Sequence, residues 1–261
     1  MKEADKFEKS NLFEGIVSIR ALLGAYGSVL NNRRIEEILY DRDKISRTPK
    51  EYAFLKHRAE ELNFQITEVS RSEIESLAIG QSHGGILARC SERTIPMLGD
   101  LPIKENGFYV MLEGIEDPYN FGYALRSLYA AGADGVVLSP RNWMSAAGVV
   151  CRASAGASEQ IPMYLCESSE MAVDTFKALG YRLICADLPN SVPVYETDLS
   201  FPIFLVVGGE KRGISRSVLD KASAIVRIEY GRDFPAALSA ASAATVLGFE
   251  VYRQNKNEEI L

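Results

Sequence analysis

Residues 204–214 read FLVVGGEKRGI, four apolar residues running without interruption into Gly208-Gly209. A short continuous apolar run bounded by turn residues is the pattern of a strand buried on both faces, as in a parallel sheet. Two further segments share the layout. Residues 117–131, DPYNFGYALRSLYAA, follow an apolar run at Phe108 to Leu112, and residues 237–253, ALSAASAATVLGFEVYR, follow one at Ile225 to Ile228. Each starts where a strand ends and brings small or helix-starting residues to that point. Ligands of α/β domains bind at this edge, because N–H groups at strand ends and helix starts are free to face them. The three segments therefore read as pieces of one ligand site.

Outward from these segments the alternation continues. Strands are expected at Phe108–Leu112, Val136–Leu138, Pro162–Leu165, Arg182–Ala186, Ile203–Val207 and Ile225–Ile228. Helices are expected at Asn120–Ala131, around Trp143–Ala153, at Glu170–Leu179, at Ser215–Ala222 and at Pro235–Tyr252. The fold class is α/β, with a mostly parallel sheet covered by helices on both faces. Upstream, a smaller α/β unit is expected, with helices at Ile16–Leu23, Pro49–Leu62 and Arg71–Leu77 and strands at Ile35–Tyr40, Gln65–Val69 and Gly85–Arg89. Pro96, Gly99, Pro102 and Gly107 punctuate the stretch between. The division read from this is residues 1–95, a linker at 96–106, and a larger domain at 107–261.

Composition narrows the function. The chain has 261 residues, 47% of them hydrophobic, enough to bury a full core. Its charged first residues and the lack of a long apolar run point to a cytoplasmic protein with no membrane partner. Four scattered cysteines without a Cys-x-x-Cys spacing suit buried reduced thiols, and two histidines are too few for an imidazole zinc site, so no metal is expected. A net charge of −6 argues against coating nucleic acid by bulk electrostatics. A local basic face remains available: Arg126, Arg141, Arg152, Lys211, Arg212, Arg216, Arg227 and Arg232 fall in or beside the three segments.

Each segment carries its own chemistry. Asp117-Pro118 breaks the first strand, and Asn120 is placed as the N-cap of the next helix. Phe121, Ala124, Leu125 and Leu128 share the core face, which directs Arg126 elsewhere, where it can hold a phosphate. In the second segment Gly208 and Gly213 have P-loop separation, but Ile214-Ser215 stands where Lys and Ser or Thr are required. Without that lysine, and without a Gly-x-Gly-x-x-Gly, ordinary nucleotide and dinucleotide modes are disfavoured. What remains is bare backbone at Gly208-Gly209, followed by the Glu210 carboxylate. The third segment is rich in Ala, Ser and Gly, which suits close approach of a cofactor, a second helix or a second subunit.

Taken together, these residues resemble the SpoU (TrmH-type) RNA ribose 2′-O-methyltransferases of the SPOUT superfamily. Glu113 to Arg126 (EGIEDPYNFGYALR) is similar to the family's first motif, Val207 to Gly213 to the second, and Ile228 to Gln254 to the third. Arg152 to Ala157 (RASAGA) resembles the family's intermediate segment. Gly15-Ile16 and Ser82 to Ala88 (SHGGILA) resemble the ribosomal-protein-like RNA-binding domain often fused to these enzymes, with His83 as a turn residue of that domain.

The resemblance implies a trefoil-knotted catalytic domain, a homodimer, an RNA substrate and S-adenosyl-L-methionine as cofactor. Val207, Gly208, Gly209, Ile228, Leu238 and Ser239 would hold the cofactor. Arg126 would sit by the target ribose, with Asn120 and Glu210 shaping the pocket. The fused domain points to large-subunit rRNA rather than tRNA. One departure stands out: where the family's third motif usually reads Ser-Leu-Asn, this chain has Ala237-Leu238-Ser239. The alternative is an RNA-binding or ribosome-assembly factor of this fold with weak or lost methyl transfer.

Overall fold

The computed structural model describes residues 11–28, 30–100, 102–139, 146–209 and 212–256. In chain order its elements are β1 (Leu12–Glu14), α1 (Gly15–Gly24), β2 (Ile35–Asp41), α2 (Pro49–Leu62), β3 (Gln65–Val69), α3 (Arg71–Leu77) and β4 (Ile86–Cys90). Then follow β5 (Phe108–Glu113), α4 (Pro118–Ala130), β6 (Gly135–Leu138), α5 (Ala147–Ala153), α6 (Ala157–Gln160), β7 (Met163–Leu165), α7 (Ser169–Ala178) and β8 (Arg182–Ala186). The chain continues through β9 (Val192–Pro193), β10 (Ile203–Gly208), α8 (Arg216–Leu219), β11 (Ala224–Arg227) and α9 (Ala240–Asn255).

The chain divides into two compact units: Met1–Thr94 with Asn142–Gln160, and Ile95–Arg141 with Ile161–Leu261. This differs from the division by sequence position at two places: the stretch read as a linker, 96–106, belongs to the larger unit, and Asn142–Gln160 leaves the larger unit to join the smaller. Packing explains the move. A Cβ on Gly148 of α5 would lie 2.0 Å from the Leu12 carbonyl oxygen, so α5 lies against β1 at a distance only glycine allows. Buried polar groups add to it: Arg33 Nε meets Glu159 Oε2 at 3.2 Å, and Asn31 Nδ2 donates to the same oxygen at 2.8 Å. The sheet of this unit runs β1-β4-β2-β3, antiparallel except for the β2–β3 pair that α2 connects.

In the larger unit seven strands run in the order β7-β6-β5-β10-β8-β11-β9, all paired in parallel. Alternate residues of the central strands bury opposite faces. Tyr109, Met111, Phe204 and Val206 join Phe176 of α7 in one core, where the Phe176 and Phe204 rings stack at 4.1 Å between centroids. Phe108, Val110, Leu112, Ile203, Leu205 and Val207 are buried as well, and α4 and α9 pack on each other with α9 against β10. Burial on both sides is why these strands read as unbroken apolar runs. The segment expected as a linker is ordered along the edge of this sheet: Leu98 N–H donates to Leu165 O at 2.6 Å, and Leu165 N–H to Pro96 O at 2.8 Å. It thereby pairs the otherwise open edge of β7.

All four cysteines are buried and free. Burial pushes the Cys166 thiol up to about 11 and the Cys185 thiol up to about 12, with the Glu113 charge adding to both. Neither is a thiolate near neutral pH.

Candidate active site at the strand ends

The two strands at the centre of the larger sheet end side by side, Gly208 of β10 in register with Glu113 of β5. Beyond that point backbone hydrogen bonds join the two loops. Gly209 N–H donates to Glu113 O at 2.6 Å, and Gly213 N–H returns to Gly209 O at 3.0 Å. A Cβ on Gly209 would stand 2.3 Å from the Gly114 carbonyl oxygen, and one on Gly208 would stand 2.6 Å from the Gly213 carbonyl carbon. Gly114 at φ +76° and Gly213 at φ +62° occupy the left-handed region that lets each loop turn back. Of the expected cofactor residues here, Val207 is buried, Gly208 half-buried and Gly209 buried. Glu210 lies outside the described residues.

Sequence reading overlooked the side chain at the same junction. Glu113 closes β5, its Oε1 accepts a hydrogen bond from Ser169 Oγ at 3.0 Å, and its Oε2 is buried without a partner among the described residues. An unsatisfied carboxylate oxygen is costly, on the order of 1–3 kcal/mol or more, so it marks a place where a donor is to be expected. In the sequence it is only a lone acid at the end of the run FYVML, a pattern that a surface residue shows equally well.

The helix that leaves this edge, α4, starts two residues earlier than expected. Asp117 is its N-cap, with Oδ1 accepting from Asn120 N–H at 2.8 Å, and Pro118 takes the first helical position. The reading of Asn120 as the cap is thereby corrected: it sits inside the first turn, half-buried, and Asp117 does the capping. Phe121, Ala124, Leu125 and Leu128 face the core as expected. Arg126 is exposed, and among the described residues its guanidinium makes no hydrogen bond or ion pair.

The third segment differs most from expectation. Helix α9 begins at Ala240, not Pro235, because Ser239 is its N-cap: the Ser239 hydroxyl accepts from Ser242 N–H at 3.1 Å. Residues 229–238 form an exposed loop, with Ile228 half-buried at its start. The Tyr230 hydroxyl accepts from Leu238 N–H at 3.0 Å and closes the loop, while the Phe234 ring lies 6.1 Å from the Tyr230 ring. The small residues of α9 serve helix packing. A Cβ on Gly248 would meet Leu128 of α4 at 3.2 Å and Ala131, the residue that ends it, at 3.4 Å, and Thr245 Oγ1 donates to Ser127 Oγ at 2.6 Å.

A profile of the SpoU rRNA Methylase family matches residues 107–249, the span from β5 into α9 that carries all of this geometry. The chain belongs to the SpoU family. A protein assigned to the TrmH family of tRNA/rRNA methyltransferases in Staphylococcus saprophyticus is 32% identical over 145 residues, which is 56% of this chain and 58% of that protein. The chain thus spans little more than half the length of that relative. Among solved structures, an RNA 2′-O ribose methyltransferase superposes with a TM-score of 0.76 at 25% identity, over 93% of this chain and 88% of that one. An AdoMet-bound rRNA methyltransferase from Sinorhizobium meliloti gives the same TM-score, 0.76, at 22% identity, over 97% and 95% of the two chains. The parallel seven-stranded sheet is the sheet of this SpoU fold. Among the described residues no three His, Cys, Asp or Glu side chains group as metal ligands, and no helix is long and apolar enough to cross a membrane.

Proposed function

We propose that this chain is an S-adenosyl-L-methionine-dependent RNA methyltransferase that modifies a ribose 2′-hydroxyl, with large-subunit rRNA as its substrate. The observation that carries the reading is the glycine junction of β5 and β10, found within the span that matches the SpoU family. The residues proposed to hold it suit a nucleoside sulfonium: the bare backbone of Val207–Gly209, the Glu113 oxygen that is unpaired among the described residues at the same junction, and the apolar side chains of Ile228 and Leu238 on the loop that follows β11. Ser239 belongs to the same set, although its hydroxyl is already committed to the helix cap.

When bound, S-adenosyl-L-methionine supplies an activated methyl group for in-line transfer. The protein's own contribution is position and charge. Arg126, exposed and unengaged among the described residues, holds the ribose-phosphate of the target nucleotide and favours the charge that develops on its oxygen. A guanidinium stays protonated, so Arg126 orients rather than removes the hydroxyl proton. Asn120 and Glu210 shape the pocket around it. The smaller unit, residues 1–94 with 142–160, binds the RNA, the larger unit carries the chemistry through a trefoil-knotted C-terminal region, and the protein works in the cytoplasm. The exposed Tyr119, Tyr123, Phe249 and Tyr252 rings of α4 and α9 support a homodimer, since apolar rings on helices of this kind mark contact surfaces.

A second reading is favoured by one observation. With Ser239 engaged as a cap and residues 236–238 exposed, the third segment brings fewer free polar groups than its usual Ser-Leu-Asn would. On this reading the chain is an RNA-binding or ribosome-assembly factor with weak transfer. Mapping ribose methylation across ribosomal RNA from cells with and without the gene separates the two. Loss of a 2′-O-methyl mark supports the enzyme, and identical maps refute it.

A further inference from the structure

We infer that Glu113 lets the strand-end site tell a methyl donor from its spent form, by holding an unpaired negative charge at the edge that receives the sulfonium. The inference rests on the reading of the chain as an S-adenosyl-L-methionine-dependent enzyme and adds to it a residue that sets ligand preference.

Glu113 is an exception among the inward-facing acids. Glu14, Asp41, Glu159 and Glu250 are buried, and each has an arginine: Arg152 at 2.5 Å, Arg71 at 3.6 Å, Arg33 at 3.2 Å and Arg253 at 2.7 Å. Taking a carboxylate out of water is costly without such a partner, so buried acids come paired. Glu113 has none. Among the described residues no lysine or arginine reaches it, its Oε1 has the Ser169 hydroxyl at 3.0 Å, and its Oε2 is buried without a partner. Ser169 is the first residue of α7, so the carboxylate also lies beside the positive end of that helix, which carries only a fraction of a unit charge. The nearby thiols of Cys166 and Cys185 are buried and raised, and they bring no opposite charge.

The place of this charge gives it a use. Gly208 is in register with Glu113, and Gly209 N–H donates to the Glu113 carbonyl at 2.6 Å, so the carboxylate hangs from the residue that meets the bare backbone. Charges inside a protein act on each other over several ångströms and far more strongly than in water, so no direct contact is required. A cation arriving at Val207–Gly209 therefore supplies what the other four acids obtain from arginine. Methyl transfer removes that cation. The bond between ribose oxygen and methyl carbon forms, the bond between sulfur and methyl carbon breaks with its electron pair left on sulfur as an uncharged thioether, and the hydroxyl proton leaves to solvent. The Glu113 charge thus favours entry of the donor over retention of the product.

Isothermal titration of the full chain with three probes tests this: S-adenosyl-L-methionine, its demethylated product S-adenosyl-L-homocysteine, and sinefungin, in which an amine-bearing carbon replaces the sulfonium. Wild type should bind the two cationic probes about tenfold more tightly than the product. In Glu113→Gln, which is nearly isosteric and keeps an acceptor for the Ser169 hydroxyl, the cationic probes should weaken about tenfold while the product binds as before. Glu113→Asp, which keeps the charge, should preserve most of the preference. Equal wild-type affinity for all three probes overturns the inference without any variant. So does a Glu113→Gln protein that keeps the wild-type preference, or that loses affinity for all three probes alike, as a purely structural role would give. No wild-type binding of any probe overturns the cofactor reading, and the inference with it.

Discussion

The loop after β10 and the loop after β11 meet the same edge of the same sheet but are specified in opposite ways. The first is fixed by what it lacks: Gly208 and Gly209 abut other backbone so closely that any side chain would collide. The second is fixed by what it carries, a Tyr230 hydroxyl closing on Leu238 N–H and a Ser239 hydroxyl capping α9, with its remaining residues in solvent. The contrast teaches where a family signature is tolerant. A backbone-built loop admits no substitution at its contact points, whereas a side-chain-built loop can exchange Ser-Leu-Asn for Ala-Leu-Ser and still be a loop.

The contrast breaks most severely at Gly209. Gly209→Ala forces the added methyl against the Gly114 carbonyl; overpacking of this kind costs about 2–3 kcal/mol, and S-adenosyl-L-methionine binding should be lost in calorimetry. Retained binding with an unchanged melting temperature would show that the loop has slack the geometry denies. Arg126→Ala, on neither loop, calibrates the chemistry: transfer should fall by about a hundredfold or more, while cofactor affinity and thermal stability stay at wild-type values because the side chain is exposed. Unchanged turnover would remove Arg126 from the mechanism.

On the side-chain-built loop the effects should be milder. Ser239→Ala removes a helix cap and should cost about 1 kcal/mol in denaturant unfolding. Ser239→Asn keeps a capping oxygen and should leave stability within a few tenths of a kcal/mol of wild type; any rise in methyl transfer then identifies a position where the longer amide serves the site. Smallest of all, Phe234→Ala changes a ring that is 55% exposed and should move stability by less than about 0.5 kcal/mol. A larger loss would mean that the Tyr230–Phe234 contact supports the loop after all.

How much of this was legible depended on whether the signal was local. Helix α2 was read to the residue because Pro49 opens it and Asn63, in the left-handed region at φ 56°, closes it. Helix α3 was legible for the same reason, through the Ser70–Glu73 capping box. The buried strands announced themselves as apolar runs. At α9 the local signals conflicted: Pro235 and the alanines that follow suit a helix start, but the hydroxyl that caps it comes four residues later. The transfer of Asn142–Gln160 to the smaller unit had no local sign at all, since it rests on Gly148 against Leu12 and on Glu159 beneath Asn31 and Arg33. Of the candidate site, the close backbone approach at Gly208-Gly209 and the outward direction of Arg126 could be read, because glycine pairs and helix periodicity leave a residue-type signature. Glu113 could not, because an acid at a strand end looks like surface until its oxygen is found buried.

The claim on which the account depends most is that these two loops together receive the methyl donor. Isothermal titration of the full chain with S-adenosyl-L-methionine tests it directly. Saturable binding of one molecule per chain, abolished in Gly209→Ala and retained in Arg126→Ala, is the predicted result. No heat of binding in the wild-type protein would contradict it.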